Sequence, residues 1–217
     1  MSVFSKDSDI LRYEPVLFSE LYFRSQVLIK GSGAAISDGH LSSDSASFLS
    51  SGVSGGGVVY VSSDSGVDNL YEIVSVDSET QLSLSVVRSG SDESSVLPAD
   101  ATDLFYRVST FEPQAAAVFL ELTEYFGLRP GRSDSEYGIE DLMDTDGLRI
   151  MSALAVTALV YASVGGSEND ESYWQKSRYY QRLYEKARER YRVNIDSGDD
   201  GVAESSRTGG CARLVRD

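Results

Sequence analysis

The sequence predicts an α+β protein: a helical bundle body (N-terminal helix plus three C-terminal helices) with an inserted small antiparallel β domain and a disordered C-terminal tail. Three observations lead there. Apolar residues recur at helical spacing near both ends of the chain. Between them lies a Ser/Gly-rich stretch with short alternating runs of β-branched residues. After Ile195 all periodicity stops. Residues 1–33 and 111–195 are thus expected to form the body, 34–110 a barrel- or sandwich-like insertion, and 196–217 the tail.

Taken in order, Leu11, Leu17, Phe18, Leu21, Tyr22, Val27 and Leu28 leave one apolar face. Pro15 suits a first turn, and Gly31-Ser-Gly33 reads as a stop, which predicts a helix from about Glu14 to Ile29. Val58–Val61, Leu70–Val76, Gln81–Arg88 and Leu104–Ser109 read as strands, with Asp77–Thr80 the polar turn of a hairpin. Short strands such as these must bury one face, hence the barrel or sandwich. Gly55-Gly-Gly57 lacks the spacing and the following helix of a phosphate-cradling loop and reads as a hinge or turn.

Pro113 to Phe126 reads as a helix stopped by Gly127, with Pro130 beyond it. Asp144-Thr-Asp146 offers capping oxygens to an apolar helix that begins near Leu148 and ends at Gly165-Gly166. Its apolar run, Ile150 to Gly165, is shorter than the ~20 residues of a membrane crossing, so it is expected to be a buried core or interface helix. Ser167-Glu-Asn-Asp170 supplies cap residues for a last helix, about Glu171 to Ile195. The first seven residues have no apolar run behind a basic start, so no secretory signal is expected there.

The 217 residues carry 19 Lys+Arg against 34 Asp+Glu, a net charge of −15, which repels phosphate at long range. One cysteine, Cys211, rules out an internal disulfide framework and a Cys-rich zinc site, and is expected to be an exposed, incidental thiol. The single histidine, His40, excludes His-pair metal sites, and without a G-x-S-x-G elbow it is expected to be an exposed loop residue. Asp141–Gly147 resembles the start of a calcium loop, but its Gly comes too early and the twelfth position holds no Glu. Ser62–Asn69 is explained as a turn. Neither a metal, a cofactor nor a catalytic residue is therefore assigned, and an enzyme is the weakest class.

The last helix is the most informative segment. Tyr173, Ser177, Tyr180, Tyr184, Ala187 and Tyr191 form one seam in alternating steps of four and three, with Trp174 and Leu183 beside it. Seven basic residues against Glu185 and Glu189 make Tyr173–Val193 a +5 segment inside a −15 chain. Three readings stand: a solvated amphipathic helix, a nucleic-acid contact, and a protein interface that meets the acidic surface of a neighbouring copy. Segregation of opposite charge within one chain favours the interface, for which the candidate residues are Tyr173, Trp174, Arg178, Tyr180, Arg182, Tyr184, Arg188, Tyr191 and Arg192. A carbohydrate- or surface-binding role for the Ser/Gly-rich β segment is a further alternative.

Several stretches resemble head–tail adaptor (connector) proteins of tailed bacteriophages. They are Thr110-Phe-Glu-Pro-Gln-Ala-Ala-Ala-Val-Phe-Leu-Glu-Leu122, and Leu142–Arg192 with its capped Ala-rich helix (Ala153, Ala155, Ala158, Ala162), Gly-Gly break and Tyr173-Trp174 opening a long Arg/Tyr helix. The hairpin Leu70–Leu84 is similar to those of phage neck and tail proteins. The resemblance implies a non-enzymatic virion protein of the neck, assembled in the host cytoplasm. It implies a ring, typically of twelve copies, with the portal protein above and a tail, tail-terminator or neck protein below. DNA would pass through without specific binding. The inserted β segment departs from these mostly helical adaptors.

Overall fold

The computed structural model describes residues 2–90, 92–128, 137–168 and 170–210. It corrects the predicted fold class. The protein is a mixed α/β chain with a closed six-stranded antiparallel barrel and five helices among the described residues, rather than a helical bundle carrying a small insertion. Two compact units divide the chain, Lys6–Glu112 and Met1–Ser5 with Pro113–Asp217.

The first unit is the barrel. Its strands are β1 (Val27–Ser37), β2 (His40–Ser42), β3 (Val58–Ser62), β4 (Asp68–Val76), β5 (Gln81–Ser85) and β6 (Ala101–Ser109). They pair in the order β1-β2-β5-β4-β3-β6, and β6 closes back onto β1. The alternation seen in the sequence supplies the interior: Ile36, Leu41, Val59, Val61, Ile73, Leu82, Leu84, Leu104, Tyr106 and Val108 are all buried there, with Phe48 edge-on to Tyr106. The β4–β5 hairpin turns at Asp77–Thr80, where the Asp77 N–H donates to the Gln81 carbonyl at 3.0 Å.

The expected N-terminal helix is absent. That stretch holds two short helices, α1 (Asp7–Leu11) and α2 (Val16–Ser19), then a 3₁₀ turn (Arg24–Gln26), after which Val27 enters β1. Leu17 and Phe18 are buried, and the Phe18 ring meets Phe111 edge-on at 5.1 Å, so this segment packs within the barrel unit. The glycines read as a helix stop serve a strand instead. Gly31 lies opposite Tyr106, and a Cβ there would fall 2.6 Å from the Tyr106 hydroxyl. Gly33, at φ +72°, sits where the β1–β6 register slips between Gly31 and Ala34, the place of a bulge that bends the strand round the cylinder.

The second unit is helical. Helix α3 (Glu112–Tyr125) straddles the boundary between the units, and Gly127 at φ +72° follows it. Helix α4 (Asp146–Glu168) starts where Asp144 Oδ1 accepts the Asp146 N–H at 2.8 Å, and it runs through Gly165 and Gly166 instead of ending there. It is long and apolar enough to span a membrane by length and composition, and 67% of that stretch is buried inside the protein. Helix α5 (Glu171–Arg190) begins at Asp170, whose Oδ1 accepts the Ser172 N–H at 2.8 Å. The last helix is therefore shorter than expected. Its final residues belong to β7 (Arg192–Ile195), which pairs with β8 (Ser205–Thr208), so the expected disordered tail is an ordered hairpin as far as it is described. Pro130, Asn169, Cys211 and residues 212–217 lie outside the described residues.

Candidate functional site

Helix α5 is positioned by α4. The two helices meet at Ala158 of α4, where Ser177 Oγ donates across the seam to the Ala158 carbonyl at 3.0 Å. Tyr161 of α4, fully buried, stacks on Tyr180 at 6.1 Å and 8° and on Tyr173 at 6.1 Å and 23°. Lys176 Nζ donates to the Tyr161 hydroxyl at 2.9 Å. The first half of the tyrosine seam legible in the sequence, Tyr173, Ser177 and Tyr180, thus faces α4 of its own chain.

The candidate interface residues separate into two groups. Tyr180 and Tyr184 are buried, and Tyr173 and Tyr191 are half-buried. Tyr184 donates its hydroxyl to Glu121 of α3 at 2.7 Å, and Arg188 reaches the same carboxylate at 3.0 Å with its guanidinium over the Tyr125 and Tyr184 rings. Burial and the Glu121 carboxylate push the Tyr184 hydroxyl's pKa upward. Tyr191 donates to the Asp144 carbonyl at 3.1 Å. These residues hold the unit together.

Trp174, Arg178, Arg182 and Arg192 face solvent. So do two residues the sequence reading left out, Lys186 and Arg190. With Arg178 and Arg182 they complete a row in steps of four along α5, about 18 Å long at 1.5 Å per residue. That spacing was available in the sequence but was masked by the more conspicuous tyrosines. Arg178 has only a loose contact with Glu171 at 3.9 Å, and Arg182, Lys186 and Arg190 have no carboxylate within ion-pair distance among the described residues. Like charges four residues apart repel by about 0.2–0.5 kcal/mol per pair, so the ridge is a small liability to the isolated helix. Tyr179, 57% exposed, and Trp174 stand beside it. The barrel unit has the opposite character: six basic against sixteen acidic residues, a net of −10.

Other chemistry is poorly supplied. His40, half-exposed on strand β2 rather than in a loop, has Nδ1 3.3 Å from both Ser83 Oγ and Asp77 Oδ2, while Ser83 donates directly to Asp77 at 2.7 Å. A nucleophile relay needs the serine and the carboxylate on opposite ring nitrogens; here they share one. Asp141–Met143 runs beside β7, where Met143 N donates to the Asn194 carbonyl, and Asp144 caps α4, so that stretch is occupied structurally. Ser63–Val67 closes as a turn, as expected. Asp196, Asp200 and Glu204, in the β7–β8 loop, bring carboxylate oxygens within 4.8 Å of one another and are the described group best placed to hold a cation. Those oxygens accept loop N–H groups, Gly201 to Asp196 at 2.7 Å and Ser197 to Glu204 at 2.6 Å.

One residue went unnoticed in the sequence. Arg107 on β6 is 7% exposed, its Nη2 donates to the carbonyls of Phe18 (2.7 Å) and Ser19 (2.8 Å), and its guanidinium lies between the rings of Tyr22 (3.6 Å) and Tyr60 (4.6 Å). Its only signal was a charge inside the apolar run Leu104–Val108.

No protein-family profile, curated protein or solved structure matches the chain.

Proposed function

We propose that this protein is a structural subunit that assembles with copies of itself through unlike surfaces, as a head–tail connector of a tailed bacteriophage. In this reading the copies form a ring, typically of twelve, in the virion neck. The portal protein lies above and a tail, tail-terminator or neck protein below, and DNA passes through unbound. The observation that carries it is the exposed Arg178–Arg182–Lys186–Arg190 ridge in a chain whose barrel unit is −10. Arg178 makes only a loose 3.9 Å contact with Glu171, and the other three cations have no carboxylate within ion-pair distance among the described residues. A heterologous contact of cationic ridge on acidic barrel, repeated about an axis, closes into a ring. The geometry also chooses which arginines to test. Arg188 is committed to Glu121 and belongs to the fold; Arg182 and Lys186 do not.

The test is sedimentation and native mass of the purified chain, alone and with portal particles, at low and high salt. Wild type should form a discrete oligomer that weakens as salt screens exposed charge. Arg182→Glu/Lys186→Glu should remain a folded monomer. Wild type that stays monomeric alone and with portal, or a variant that assembles equally well, refutes the proposal. Trp174 and Tyr179 beside Arg178 favour a second reading, single-stranded nucleic-acid contact by stacking and phosphate pairing. Filter binding at two salt concentrations tests it, since phosphate contacts give a steep salt slope.

A further inference from the structure

The barrel contains two buried guanidinium groups, and they are treated differently. Arg88 is met by Glu72: Nη2 donates to Oε1 at 2.7 Å and Nε to Oε2 at 3.3 Å, with both side chains under 10% exposed. That hydrogen-bonded carboxylate holds the Arg88 pKa above its usual value. Arg107 is as deeply buried, yet among the described residues it has carbonyls and tyrosine rings and no carboxylate within ion-pair distance, and its Nε has no hydrogen-bond partner. Burial pulls its pKa down, the reverse of Arg88. A buried charge without an opposite one is among the most unfavourable features a fold can carry.

The surroundings add positive charge. In the β1–β6 register Lys30 stands directly opposite Arg107, a like-charged cross-strand pair that sheets normally avoid. Arg24, just before β1, is exposed nearby. These three cations, with Tyr22, line an open cavity of about 670 Å³ whose remaining wall is Val27, Leu28, Ile29 and Phe105. Among the described residues no acidic side chain lines it, although the unit around it has sixteen.

We infer that this cavity is a binding site for a carboxylate carried on a short apolar stem, the anion that Arg107 lacks among the described residues of its own chain. Arg107 and Lys30 supply the charge, and Arg24 lies at the rim. The aliphatic and aromatic wall takes the stem, which a bare phosphate would leave unused. The chemistry is that of a small organic carboxylate or of an acidic side chain presented by a second copy. The inference is independent of the connector reading, since it rests on the barrel alone.

The experiment titrates the isotope-labelled full chain with sodium glutarate at constant ionic strength, with sodium chloride and inorganic phosphate as parallel arms. It follows the amides of Lys30, Phe105 and Arg107 and the Arg107 Nε–H. Glutarate should give saturable shifts confined to these positions. Lys30→Gln, an exposed substitution that leaves the fold intact, should weaken binding about tenfold, and Arg107→Met should abolish it. Shifts that chloride reproduces, tighter binding of phosphate than of glutarate, or an affinity unchanged in Lys30→Gln overturn the inference, whether or not Arg107→Met folds. Where the shifts are specific, glutarate that also dissociates the oligomer assigns the natural carboxylate to a neighbouring copy. Glutarate that leaves the assembly state unchanged, a monomer included, assigns it to a free ligand.

Discussion

Replacing Asp7 by Asn should make the barrel unit more stable at neutral and higher pH and leave it unchanged in acid. Asp7 opens α1, and its Oδ1 accepts the Phe111 N–H at 2.8 Å. Burial pushes the carboxyl up to about 7 from 3.8; the Phe111 and Thr110 hydrogen bonds oppose the rise, and Glu112 and Asp9 add to it. A carboxyl whose pKa is raised by folding is more strongly protonated in the native state than in the unfolded one. Its contribution is therefore complete below about pH 4 and is lost as pH climbs through about 7. Three units at about 1.4 kcal/mol each set a ceiling of about 4 kcal/mol. The residue still meets some solvent, so about half of that is expected. Asn keeps an oxygen for the Phe111 N–H and cannot ionise. Urea denaturation, read from amide cross-peaks of Val59 and Tyr106, isolates the barrel from the helical unit. Near pH 8 the variant should gain about 2 kcal/mol, and near pH 4 the two proteins should match. A gap that is the same at every pH, or a variant less stable near pH 8, would show that the carboxyl is not held neutral by its surroundings.

Two further substitutions probe the interior. Glu72→Gln strands the Arg88 guanidinium in the barrel wall and should cost about 3–5 kcal/mol by urea denaturation, with Glu72→Met/Arg88→Met recovering most of it; a loss under about 1 kcal/mol would mean that water reaches Arg88 after all. Tyr184→Phe removes the hydroxyl shared with Glu121 and Arg188 and should lower the stability of the helical unit by about 1–2 kcal/mol, monitored by Trp174 fluorescence. That loss should vanish in a Glu121→Ala background, and persistence there would place the effect elsewhere.

Local signals served well wherever a segment's neighbours were close in the chain. The β4–β5 hairpin was legible because Leu82 and Leu84 alternate and a polar turn joins the strands. Helices α3, α4 and α5 were legible from caps and periodicity, down to Asp144 and Asp170 as capping residues. The N-terminal stretch failed because Leu17, Phe18, Leu21 and Tyr22 satisfy a helical period over a distance too short to distinguish it from strand and turn. What decides the matter is Val27 pairing with Ser109, a contact across eighty-two positions that no local pattern announces. The same holds for the site. The tyrosine seam was visible, but not that Tyr161 waits on the preceding helix to receive it, which turns an apparent docking surface into an intramolecular one. Arg107 was overlooked because its meaning lies in Lys30, Tyr22 and Tyr60, three residues from other parts of the barrel unit.

Joining β6 to β1 leaves the barrel no unpaired strand whose backbone amides another polypeptide might extend. Contacts made by that half of the molecule must then be written in side chains, where a single substitution can erase them. Among the described residues the free strand margins belong to the four-residue pair β7–β8, too short to template a long ribbon. A protein so arranged can be crowded with its twins at high local concentration and still avoid fusing into fibrils.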